Sequence, residues 1–191
     1  MSARTSLHLR DEDLRQFEER AQQTQANART KSAEEIIADA RAVLQAASQA
    51  QLAGFVRERF TRLTAMLDMA TDAEWLLAGE DRQRLLNALA CFSGSHTSAA
   101  EDDNVAFLDH SIMVELVSRD LEHDLAAYRD FCSLRTSQAK RHRPGADQQA
   151  NRDLWLQQTR ESLQHRMHLR RTRSLERAGS SVRRLFSLFG I

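Results

Sequence analysis

Residues 107–135 read FLDHSIMVELVSRDLEHDLAAYRDFCSLR, and this stretch decides the fold. Ile112, Met113, Leu116, Val117, Leu121, Leu125, Tyr128 and Phe131 recur every three or four positions, the spacing of one helical face and not the alternation of a strand. Asp109 stands ahead of the stripe as an N-cap, since a short carboxylate accepts from the free backbone N–H groups of a first turn. The pattern predicts one long helix from Asp109 to Arg135 that forms the spine of a core.

Upstream, Leu52, Val56, Phe60, Leu63 and Leu67 keep the same spacing and predict a helix to about Ala70. Ser32 and Glu35 fit a capping box at the start of a stripe through Ile36, Ile37, Ala40, Val43 and Leu44. Thr71 and Glu74 fit a second one opening a short segment, with Trp75 as a core or lid residue. Leu85, Leu86, Leu89 and Phe92 mark a further helix. A sparser one runs from Asp11 to Arg29 on Leu14 and Phe17. Residues 93–106, SGSHTSAAEDDNVA, have no helical period and read as a loop.

Six Gly and one Pro among 191 residues supply too few turns for a many-stranded β fold. The fold class is therefore all-α: a compact domain of about five or six helices with a basic helical C-terminal extension. The only proline lies in KRHRPG at 140–145, which places the end of the compact domain near residue 136. The expected divisions are N-terminal helices over 1–50, a helical core over 51–136, and over 137–191 a basic linker, an Arg-rich helix and an amphipathic C-terminus.

Residues 82–135, with FVRERFTRL at 55–63 and AEWLL at 73–77, resemble the YkvA-like family, a bacterial domain of unknown function. Ala88, Leu89, Ala90, Cys91 and Phe92 match its first helix end. Phe107, Leu108, Asp109 and the run from Ile112 to Leu116 match its second element. The chain departs from the pattern in the loop, which lacks the family's prolines, and at His110, where the family has a second Asp. The resemblance implies a helical fold for about Phe55 to Arg135 and no particular activity.

Chemistry-bearing constellations are sparse. Glu101, Asp102, Asp103, Asp109 and His110 would suit a cation, but acidic residues ahead of a helix also serve its dipole and caps. His165 and His168 share a helical face among arginines that repel a cation. Glu122, His123 and Asp124 are consecutive, so they point about 100° apart and read as solvated surface. Cys91 and Cys132 read as buried free thiols in a reducing compartment. There is no Gly-rich phosphate loop and no nucleophile with a base beside it. The expectation is a non-enzymatic chain with no cofactor and no metal, a metal-dependent enzyme at the 101–110 loop being a distant third reading.

The net charge of zero hides an asymmetry: residues 137–191 hold twelve Lys or Arg against four Asp or Glu, a balance of +8 that leaves −8 on the first 136. Arg166, Arg170, Arg171, Arg173 and Arg177 gather within twelve residues, and Arg183 and Arg184 follow. Val182, Leu185, Phe186 and Phe189 stand at i, i+3, i+4 and i+7 beside those last arginines, a short amphipathic anchor. The favoured reading is a binding or scaffolding protein. It is cytoplasmic, peripheral at the inner face of the membrane, and associates with an anionic membrane surface or a protein partner through residues 166–191. The alternative is a nucleic-acid-associated accessory protein using the same arginines. The terminal stripe would otherwise dock on the domain or in a homo-oligomer.

Overall fold

A computed structural model describes residues 30–93, 103–141 and 146–177, together with Glu19, Gln23 and Ala26. Among the described residues there are six helices and no strand: α1 Ala33–Gln49, α2 Gly54–Thr71, α3 Gly79–Ala90, α4 Asp103–Asp120, α5 Glu122–Arg141 and α6 Ala146–Arg177. The all-α expectation holds. The helix expected over Asp11–Arg29 lies almost wholly outside the described residues.

The capping box forms at α1. Ser32 Oγ accepts from the Glu35 N–H at 3.2 Å, and Glu35 Oε2 accepts from the Ser32 N–H at 2.6 Å. The second box does not. Thr71 is the last residue of α2, and its hydroxyl donates back to the Leu67 carbonyl at 2.9 Å. Asp72 takes over the turn instead, accepting from the Glu74 and Trp75 N–H groups at 2.9 and 3.2 Å. The short link it starts holds Leu76 at φ 48° and enters α3 through Gly79 at φ 56°, a conformation glycine adopts without the Cβ clash that Leu76 bears.

The expected spine is divided. Asp109 lies inside α4, one and a half turns past its start, and not at an N-cap; the loop expected to reach residue 106 gives way to helix at Asp103. The helix then breaks at Leu121, although the Leu121 and Leu125 N–H groups still reach Val117 and Leu121 carbonyls at 3.1 and 2.8 Å. The change of direction lets α4 lie along α2 while α5 lies along α6. No Gly or Pro marks the break.

Trp75 is fully buried, with its ring centroid 5.7 Å from Tyr128 and 5.1 Å from Phe131, so the α2–α3 link is pinned to α5. Phe60 meets Phe107 edge to face at 6.1 Å and joins α2 to α4. The core does not end near residue 136. Leu156, Leu163 and Met167 of α6 are buried in the same apolar cluster as Trp75 and Phe131, because their helical stripe closes over the open side of α5. The Arg-rich helix is thus a wall of the body and not a solvated extension.

Candidate anion-binding ridge

The stripe that carries Leu163 and Met167 continues to Arg171 and Ser174, and this phase divides the arginines of α6 into two groups. Arg171 turns inward. Its Nη2 lies 2.9 Å from Asp81 and 3.0 Å from Asp124, and its side chain is 12% exposed, so it is removed from the expected set of anion-binding arginines. Arg166, Arg170 and Arg173 stand exposed at i, i+4 and i+7 on one flank, and Arg177 closes α6 at i+11. Among the described residues none of Arg166, Arg170 and Arg173 forms an ion pair; Arg166 donates from Nε to its own helix at the Ser162 carbonyl, 3.4 Å away. Arg183, Arg184, Leu185, Phe186 and Phe189 lie outside the described residues.

What holds the ridge in place is a buried ionic chain. Arg84 of α3, 5% exposed, lies between Asp124 at 3.3 Å and Asp120 at 3.6 Å, and donates to the Asp120 carbonyl as well. Arg171 shares Asp124 and passes to Asp81, on which the exposed His168 leans at 3.1 Å. Three carboxylates thus meet two guanidiniums. Burial pushes the Asp120 carboxyl up to about 6 against the pull of Arg84, and burial likewise raises that of Asp124 despite Arg171 and Arg84. Asp124 is 1% exposed and His123 half-buried, so of residues 122–124 only Glu122 is the solvated surface expected. His123 is engaged too, its Nε2 lying 2.7 Å from Ser174 Oγ.

A second set of contacts fixes the other half of α6. Glu74 accepts from Arg152 at 2.6 Å and from Arg135 at 2.8 Å. Arg160 and Gln164 donate to the Glu74 and Trp75 carbonyls at 3.2 and 3.1 Å. Burial alone would raise the Glu74 carboxyl, but the hydrogen bonds from Arg152 and Arg135 outweigh it and hold the group below its usual range. Asp72 behaves alike: burial opposes ionisation, and bonds from the Glu74 N–H, Tyr128 and Arg135 prevail.

On the flank of α5 away from α6, an open groove of about 1040 Å³ runs between α2, α4 and α5. Its charges are partly self-satisfied: Arg62 reaches Glu115 at 2.8 Å and Arg135 reaches Asp72 at 2.8 Å. Asp68, Glu122 and Arg129 line it without an ion pair among the described residues. Cys132, expected to be buried, is half-buried on its wall, whereas Cys91 is buried.

Among the described residues no group of three or more His, Cys, Asp or Glu is placed to hold a metal ion, and no helix is long and apolar enough to cross a membrane. Glu101 and Asp102 lie outside those residues. No family model, curated protein or solved structure matches the chain. The sequence did not single out Asp81 or Arg84, and it pointed to Glu74 as a capping residue and not as the partner of Arg135 and Arg152. For Arg84 a local signal existed: it is four residues before Ala88 and flanks Leu85, so it lies on the buried side of α3.

Proposed function

We propose that this chain is a non-enzymatic binding protein that associates peripherally with anionic membrane surfaces through the ridge of Arg166, Arg170 and Arg173 and the basic, amphipathic sequence from Arg177 onward. The observation that carries the reading is the sorting of the arginines on α6. Arg171 is spent on two internal carboxylates, while Arg166, Arg170 and Arg173 face solvent on one flank without an acidic partner among the described residues. Guanidiniums left unpaired at fixed helical spacing suit the phosphates of lipid headgroups, each worth about 1 kcal/mol near an anionic surface. Phe186 and Phe189 add apolar burial, up to roughly 1.5–3 kcal/mol each when complete. Neither contribution alone gives firm anchoring, and the two adjoin in sequence.

On this reading the YkvA-like resemblance of residues 55–135 covers the scaffold, and the ridge lies outside it. Membrane contact at the inner face places the protein in the cytoplasm. Co-sedimentation with vesicles of phosphatidylglycerol and phosphatidylcholine, against phosphatidylcholine alone and with RNA as competitor, tests the proposal. Binding that requires the anionic lipid, weakens with salt and survives RNA supports it. Full displacement by RNA together with tight RNA binding favours the nucleic-acid alternative.

A further inference from the structure

We propose that Leu169 is the residue with which the arginine ridge enters a bilayer, so that α6 lies along the membrane surface and selects a sheet of anionic lipid over a soluble polyanion. The inference deepens the proposed function and rests on it.

Helical phase supplies the first argument. At about 100° per residue, Leu169, Arg170 and Arg173 all fall within about 60° of Arg166 around the axis of α6. Leu169 is 42% exposed, and the three arginines beside it are exposed as well. A lone exposed leucine is ordinary, but one set among cations on a single flank has the composition of an interfacial helix. Leu154 of the same helix makes the contrast. It is 54% exposed, yet it lies about 120° round from Arg166, with Glu161 two turns on along its own line. Only one of the two exposed leucines therefore belongs to the ridge. Met167, 1% exposed, and Arg171, bound to Asp81 and Asp124, fix the rotation of α6, so the flank cannot turn under the body.

The charge along the flank agrees. Going back from Arg166, the same line passes Ser162, Thr159 and Trp155, none of which carries a charge. Asp153 and Glu161 stand about 140° away, and Glu176, about 80° away, is the acid of α6 nearest to the ridge. From Trp155 to Arg173 the line is about 27 Å long at about 1.5 Å per residue, a footprint for a sheet and not for a single anion. Arginine stems are long enough to fold back along the helix, as Arg166 does in donating to the Ser162 carbonyl, so the shorter leucine can reach below the level of the guanidiniums. Behind a layer of lipid phosphates lies hydrocarbon, which rewards burial of Leu169. Behind the phosphates or sulfates of a soluble polyanion lies water, which does not.

The test measures the affinity of the full chain for mixed phosphatidylglycerol and phosphatidylcholine vesicles, and separately for heparin, in the parent, Leu169→Ser, Leu169→Trp and Leu154→Ser. Leu169→Ser should lose about fivefold in vesicle affinity and nothing toward heparin, while Leu154→Ser matches the parent on both. Leu169→Trp should bind vesicles more tightly, which keeps the test independent of any loss of folding in the serine variant. Brominated acyl chains should quench Leu169→Trp more than Leu154→Trp, each read above the shared signal of Trp75 and Trp155. Equal vesicle binding by the parent and Leu169→Ser overturns the inference and leaves the ridge a purely electrostatic contact. Equal losses in Leu169→Ser and Leu154→Ser overturn it too, since the outward face and not the ridge would then meet the lipid. A parent that binds heparin and no vesicle removes the proposed function itself, and the inference with it.

Discussion

Asp120→Asn should stabilise this protein at neutral pH. Asp120 is 6% exposed, and its carboxylate is the third negative charge in a buried chain that offers only Arg84 and Arg171 against it. Burial raises its pKa to about 6, against about 3.9 for an aspartate in an unfolded chain. A carboxyl raised on folding is a cost that is absent below about pH 4, grows between pH 4 and 6, and is fully present above that range. A gap of about two pH units, at about 1.36 kcal/mol each, makes that cost about 3 kcal/mol at pH 7. Asparagine keeps the shape and the acceptor, and Arg84 retains Asp124 and the Asp120 backbone carbonyl. Urea unfolding of parent and variant at several pH values measures the difference directly. The variant should gain up to about 3 kcal/mol at pH 7 and nothing near pH 4. A variant less stable than the parent at pH 7, or a difference that does not change with pH, would refute the account of the ionic chain.

Other expectations follow from the same contacts. Met167→Ala, at a site 1% exposed, should cost about 2–5 kcal/mol and lower the cooperative melt of the whole body, because α6 belongs to the core. Glu74→Ala removes the carboxylate between Arg135 and Arg152 and should cost about 1–2 kcal/mol after allowance for its partial exposure, with faster hydrogen exchange in the first half of α6. Leu76→Gly relieves a left-handed leucine and should raise stability by about 0.5–1 kcal/mol in a thermal melt, whereas Leu76→Val should lower it.

Helical periodicity carried the fold because the stripes of α1, α2, α3 and α5 each bury one face against a neighbour, and Ser32 with Glu35 marked a start that forms as written. The break at Leu121 left no mark in the sequence, for no Gly or Pro announces it; it follows from α4 and α5 packing on different partners. The boundary near residue 136 failed because a thin stripe of Leu156, Leu163 and Met167 was weighed by its apolar content and not by its phase. That phase also sorts Arg171 inward from Arg170 and Arg173, four residues beyond Met167, and so was legible in principle. The contacts of Glu74 with Arg135 and Arg152 were not: they join positions 61 and 78 residues apart, and nothing local encodes such pairs.

The outward arginines of α6, and not its inward one, are the surface proposed to meet anionic phosphate. Salt-dependent co-sedimentation with phosphatidylglycerol vesicles of the parent, of the triple variant Arg166→Gln, Arg170→Gln and Arg173→Gln, and of Arg171→Gln tests it. The triple variant should keep the parent's melting temperature and lose about tenfold or more in vesicle affinity, at about 1 kcal/mol for each arginine. Arg171→Gln should instead lower the melting temperature through the ionic chain it leaves behind. A triple variant that binds vesicles as tightly as the parent, with the same salt dependence, would contradict the account.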